Sequence, residues 1–269
     1  GLICLIIVYS IIVQSNSGKF LSLGNMGNIL KEIVVYGILS CALAFPVLNG
    51  TFDLSIESTC ALGGTLCGLL VTDGLYGLKT GLGAAIIISV LLCCIVGIVN
   101  GIIVSRTKID PFIVTLGTQT AVRGIVYIVS DNTAVTQLPS EFKNLSVGTV
   151  FGVSVSVWIL ILVFIGMALV LGKTSYGRKI YATGGNYQAA YNSGVNVKRV
   201  RFSTYVIAAG LSALAGILST ARVGSATPNA ASGYATIAIS ACAIGGVSLS
   251  GGKGLTIGVF LGALMMGMI

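Results

Sequence analysis

The chain has 269 residues, 55% of them hydrophobic and only 8% charged, against about 25% charged in an average soluble protein. Glycine occupies 37 positions, the formal net charge is +8 and there is no histidine. This composition excludes a soluble globular core and predicts an all-α polytopic transmembrane bundle, in which small residues let helices approach closely.

Apolar runs near 1–13, 29–48, 54–71, 81–105, 111–130, 151–172, 201–220, 234–248 and 254–269 predict about nine spans or part-spans in a single domain over 1–269. Glycine and proline interrupt several of them, so broken helices are expected. The first run is shorter than the ~20 residues of a full span and lacks the charged start and cleavage site of a signal peptide. The last run stops without a polar flank. The expectation is a chain truncated at both ends. Gly64-x-x-x-Gly68, Gly97-x-x-x-Gly101 and Gly258-x-x-x-Gly262 have the spacing of close helix contacts. The seven cysteines (Cys4, Cys41, Cys60, Cys67, Cys93, Cys94 and Cys242) lie in apolar stretches without metal-ligand spacing and read as packing residues.

The second and third runs meet at Pro46 to Ser58. Pro46 removes a helix donor and Asn49-Gly50 is a turn pair. Asp53 is placed to cap the next helix, and Glu57 follows four residues later on the same face. An acid this deep in an apolar run faces protein or a water-filled path. Asn49, Asp53 and Glu57 are therefore candidates for a translocation pathway. The competing readings are a structural cap for Asp53 and a paired or rim-exposed acid for Glu57.

Pro111 suits the first turn of the fifth run. Thr115, Gln119 and Arg123 are spaced by four and stack along one helix face, which must turn inward. Gln119 and Arg123 join the pathway candidates, with interhelical hydrogen bonding as the competing role. Segment 130–150 carries Asp131, Glu141 and Lys143, balanced in sign.

Segment 173–201 holds six basic residues and no acidic one, which places it in the cytoplasm. Alternation then puts Arg106 and Lys108 inside and 130–150 outside. No aromatic residues interleave with the cations in the manner of a nucleic-acid site. Thr183-Gly184-Gly185 reads as a turn and Asn186 as a helix N-cap. Tyr187 to Ser193 make about two helical turns before Gly194 stops them. Ala189 and Ala190 give this short helix a low-relief surface suited to docking another protein. Near the end of the chain, Lys253 is not a P-loop lysine, because Val247 and Gly254 occupy positions where that motif needs Gly and Ser or Thr. Ser58-x-Cys60-Ala61-Leu62-Gly63-Gly64 is echoed by Ser240-x-Cys242-Ala243-Ile244-Gly245-Gly246, the kind of internal repeat found in transporters.

Gly177 to Val197 resembles, without gaps, the coupling loop of ABC importer permeases of the ribose, xylose and galactose type, with Gln188 where the family has Glu. Gly50 to Ser58 is similar to the family element G-G-I-D-L-S-V-G-S, with Glu57 in place of a glycine. Pro111 to Gly124, Ala221 to Tyr234 and Ile244 to Gly254 match further family motifs. Ala235-Thr236-Ile237 stand where the family has Glu-Leu-Asp. The resemblance implies a permease subunit of an ATP-driven importer in the bacterial cytoplasmic (inner) membrane, translocating a monosaccharide such as ribose. It implies a second permease copy or close homologue forming one central path, and an extracytoplasmic sugar-binding protein docking outside. A cytoplasmic ABC ATPase would dock on loop 173–201 through Gly184, Gly185, Asn186, Gln188, Ala189, Ala190 and Gly194. The chain has no nucleotide motif, so ATP and Mg belong to that partner; this chain carries no cofactor and is not itself an enzyme. With no histidine and no acid cluster, the chain lacks the makings of an intramembrane enzyme. The alternative is an ion-coupled secondary transporter of a small polar solute, for which Asp53 and Glu57 are the only candidate acids.

Overall fold

The computed structural model describes residues 2–17, 22–72 and 78–269. Within them, α2 (Leu23–Leu48), α4 (Leu82–Arg106), α5 (Pro111–Val129), α7 (Val155–Lys173) and α10 (Val197–Val223) are long and apolar enough to cross a membrane. Four shorter apolar helices accompany them: α1 (Leu2–Ser17), α3 (Ile56–Val71), α11 (Tyr234–Ile244) and α12 (Thr256–Met268). Sixteen residues, as in α3, rise only about 24 Å, short of a ~30 Å hydrocarbon layer. α3 and α11 are therefore part-spans, and each of the nine apolar runs corresponds to a helix. Between them lie α6 (Ser140–Val147), a small antiparallel hairpin of β1 (Thr149–Val150) and β2 (Val153–Ser154), and two polar helices, α8 (Ser175–Gly185) and α9 (Tyr187–Asn192).

Helix α10 is the central post, packed against α2, α3 and α4. Small residues make this approach possible. A Cβ at Gly97 would lie 2.5 Å from the Tyr205 carbonyl oxygen, and one at Gly101 would lie 2.8 Å from that of Phe202. The third Gly-x-x-x-Gly pair works in the same way, with Gly258 and Gly262 of α12 seated on Gly245, the C-cap of α11, and on Ala241 within it. Of the apolar windows of α2 and α10, 72% and 61% are buried, against 28%, 17% and 33% for α4, α5 and α7. The last three are thus the outer helices. They expose Ile87, Leu91, Ile113, Ile128 and Leu162, side chains that suit lipid.

Two stretches of non-helical backbone enter this bundle. The first follows Pro46, where α2 stops at Asn49 and Gly50 turns with φ +76°. Here the expected cap is corrected. Asp53 stands two residues before the N-cap, which is Ser55, because the turn at Leu54-Ser55 intervenes. The Asp53 carboxylate accepts from Ser55 N (3.0 Å) and Ser55 Oγ (2.6 Å). The second stretch, 224–233, links α10 to α11 and is bounded by Gly224 and Gly233, both with positive φ. Thr183-Gly184-Gly185 is also corrected: it is the last turn of α8, and the chain breaks one residue later at Asn186. Burial of Ile180 and Thr183 on one face keeps that helix going.

Candidate functional site

Both non-helical stretches meet at Glu57. This residue stands in the first turn of α3 and is buried, 6% exposed. Its Oε2 accepts from the backbone N–H groups of Gly233 (3.0 Å) and Ala235 (3.3 Å), the first donors of α11. Its Oε1 accepts from Gln119 Nε2 at 2.6 Å and lies 3.8 Å from Arg123 Nη2. Arg123 Nη1 donates to the carbonyls of Pro228 and Ala230, both at 2.8 Å. Two charged side chains thus hold segment 228–235 from both ends: the arginine takes its carbonyls and the glutamate its amides. The carboxylate also sits at the positive end of the α11 dipole, where negative charge is favoured. Of the α5 stripe, Gln119 makes the interhelical hydrogen bond weighed above, to Glu57 of α3, whereas Arg123 bonds the non-helical stretch between α10 and α11. Thr115 completes the stripe by accepting from Leu54 N at 3.2 Å.

Beside this cluster is a cavity of about 430 Å³, lined by Glu57, Ser58, Gln119, Arg123, Tyr127 and Asn229 among others. Ser58 Oγ is fully buried and has no protein partner, and Arg123 Nη2 has only the long contact to Glu57. The cavity is thus walled by a carboxylate, a guanidinium, two amides and an aromatic ring, with the unpartnered Ser58 hydroxyl buried behind its surface. Its single positive and single negative group balance, so a neutral solute rich in hydroxyl groups could enter without leaving a charge uncompensated.

The other pathway candidates do not join this site. Asp53 is buried with Ser55, whose hydroxyl accepts from Asn100 Nδ2 (2.9 Å); Asn100 Oδ1 in turn accepts from Thr118 (2.7 Å). This is an internal network binding α3, α4 and α5. Asn49 is also buried, does not line the cavity, and its amide has no partner among the described residues. It lies next to Gly50 at a crossing of three backbones: the end of α2, the end of α8 and loop 248–254. A Cβ on Gly184 would lie 2.7 Å from Gly252 N, and Gly252 N donates to Leu48 O at 2.9 Å. Gly251 and Gly252, with φ +86° and +72°, adopt the left-handed region this crossing needs. Asp53 and Glu57 are both engaged by protein donors, and Glu32, an acid within α2, pairs with Arg222 of α10.

In loop 173–201 the expected short helix is present. Asn186 Oδ1 accepts from Ala189 N at 2.9 Å, and Gly194 stops the helix with φ +82°. Gln188 and Ala189 are exposed, whereas Ala190 is 5% exposed and packs inward. The low-relief surface is therefore formed by Ala189 and not by the pair. Gly184 and Gly185 serve the backbone crossing. Tyr181 donates to Gly254 O (2.9 Å), and Tyr176 shares a 2.6 Å hydrogen bond with Ser203. Burial pushes both phenols above their usual range, partly offset at Tyr176 by the bond to Ser203. Tyr127 and Asn229 carry no signal in the sequence beyond being polar, and Ser58 stands in a family element without a role attached; only the fold brings the three to the cavity.

Residues 25–269 match the family model described as branched-chain amino acid transport system / permease component. The chain is 35% identical to the ribose import permease protein RbsC of Haemophilus influenzae, over 99% of this chain and 82% of that protein. It is 34% identical to the L-arabinose transport system permease protein AraH of Escherichia coli, over 93% of this chain and 75% of that protein. It is 35% identical to the D-allose transport system permease protein AlsC of the same species, over 98% and 80%. No solved structure matches the chain.

Proposed function

Because the chain belongs to the branched-chain amino acid transport system / permease component family, we propose that it is the membrane permease subunit of an ATP-driven importer and translocates a monosaccharide. The observation that carries this reading is similarity over nearly the whole chain to permeases of ribose, arabinose and allose systems. A neutral polyol also suits the charge-balanced cavity at Glu57 and Arg123. In this reading Glu57, Gln119 and Arg123 line the solute path, and a second copy of the chain completes it. An extracytoplasmic binding protein delivers the sugar, and an ABC ATPase carrying ATP and Mg docks on Gln188 and Ala189. Asp53 and Asn49 hold the frame. The secondary-transport alternative loses its basis, since Asp53 and Glu57 are both held by protein donors.

A contiguous structural route joins the two ends. Glu57 holds the start of α11; α11 leads into loop 248–254; and that loop rests on Gly184 and accepts from Tyr181. Closure of the ATPase pair against α9 would thus be felt at the cavity through one helix of 11 residues. The test is reconstitution in proteoliposomes with the ATPase and sugar-binding protein. Uptake of labelled sugar should require ATP inside and binding protein outside. Uptake driven by an ion gradient without the ATPase would refute the proposal.

A further inference from the structure

At the basic end of the bundle, the last turn of α4 and the first turn of α10 enclose a groove of about 240 Å³. It is lined by Ile102, Ser105, Arg106, Lys198, Arg199 and Phe202. Its origin is local. Gly101 lets α4 lie against the Phe202 backbone, so the larger side chains on either side splay apart and leave a furrow.

One half of the furrow is cationic. Arg106, Lys198 and Arg199 are exposed, and among the described residues none has an ion-pair partner; the two ion pairs there use Arg123 and Arg222. No acid lines the groove. Asp110, the acid nearest to Arg106 in the chain, is turned to cap Phe112 N at 2.8 Å. Lys198 and Arg199 also lie in the first turn of a 27-residue helix that has no acid there, so they oppose the positive end of its dipole. Arg106, in the last turn of α4, sits at the negative end of its own helix, but three exposed cations facing one groove, two of them at a positive helix end, are an arrangement that an anion relieves.

The other half is apolar. Ile102 and Phe202 form its wall, and Ile102 continues along α4 into Ile98, Val99 and Ile95, all exposed. A free phosphate or an acidic protein loop has no use for this wall. An amphiphile with an anionic head matches both halves, and basic grooves between membrane helices suit such headgroups. We propose that the groove binds the headgroup phosphate of an anionic phospholipid of the adjoining leaflet, with an acyl chain along the exposed stripe of α4. The site is independent of which solute the protein carries.

The test is native mass spectrometry of the purified protein after titration with cardiolipin, phosphatidylglycerol or phosphatidylcholine, with glycerol 3-phosphate as a soluble competitor. Cardiolipin and phosphatidylglycerol should be retained over phosphatidylcholine, and Arg106→Gln/Lys198→Gln/Arg199→Gln should lower their occupancy at least about tenfold. Lys173→Gln/Arg178→Gln/Lys179→Gln removes as much charge from the same side of the protein and should leave occupancy unchanged. If the first triple variant does not fold, the exposed single change Lys198→Glu should still cut occupancy several-fold. Equal losses in both triple variants would reduce the effect to diffuse charge and overturn the proposal. Competition by glycerol 3-phosphate as strong as that by lipid would overturn it as well. So would unchanged lipid occupancy with loss of the co-purified ATPase, which would assign the cations to protein docking.

Discussion

Glu57→Ala is the substitution whose cost the structure defines best. It strips an acceptor from Gln119 Nε2, Gly233 N and Ala235 N and removes the partner of a guanidinium whose side chain is 14% exposed. Breaking a buried pair by deleting one member costs about 3–5 kcal/mol, and each buried donor left unmatched costs about 1–3 kcal/mol. These penalties overlap, because the same carboxylate serves all of them. The expected loss is therefore about 4 kcal/mol, or on the order of 10 °C in Tm. Glu57→Gln keeps the shape but sets its NH2 group against donors on every side, so an intermediate loss of about 1–3 kcal/mol is expected. Arg123→Met in the Glu57→Ala background removes the stranded cation and should recover part of the deficit, since neighbouring sites are non-additive. The assay is thermal unfolding of the purified protein in detergent, with sugar uptake measured on the same variants. A Glu57→Ala protein that melts within about 2 °C of the parent, a shift below 1 kcal/mol, would refute the pairing argument. A full stability loss in Glu57→Gln together with normal uptake per folded molecule would remove Glu57 from the solute path.

Ala189→Arg should weaken ATPase co-purification at unchanged permease abundance. Ala190→Arg should instead lower abundance, because overpacking an inward position costs about 1–3 kcal/mol; the reverse ranking would show that α9 docks on its other face. Gly184→Ala drives a methyl into Leu48 and Gly252 and should destabilise by at least about 1–3 kcal/mol, read as thermal stability. In a background without native cysteines, a cysteine at Asn192 should resist impermeant thiol reagents added outside and one at Asn144 should react; the opposite pattern would invert the topology. Glu57→Gln should lower sugar-stimulated ATP hydrolysis more than basal hydrolysis if α11 links the cavity to the coupling loop, and equal losses in both would sever that link.

The parts of this molecule legible in the sequence rest on local physics. Nine apolar runs, the cap at Asn186, the stop at Gly194 and the inward stripe of α5 each follow from a few neighbouring residues, and each is present in the structure. The contributions of Ser58, Tyr127 and Asn229 were not legible, because the two broken stretches that bring them together are more than a hundred residues apart in the chain. The same distance hid the relation between two apparent departures from the family pattern. Read along the chain, Glu57 in place of glycine adds an acid to α3, and Ala235 and Ile237 in place of Glu and Asp remove two from α11. In the structure the Glu57 carboxylate lies on the Ala235 amide at 3.3 Å. One of the two missing negative charges is therefore supplied at the start of α11 from α3. Its position still favours the helix dipole and still faces Arg123. What changes is the mechanical connection. A carboxylate on α11 would move with α11, whereas one on α3 ties two helices together and must be released or carried along when either shifts. The exchange thus restores one of the two charges missing from α11 and makes it an interhelical tether.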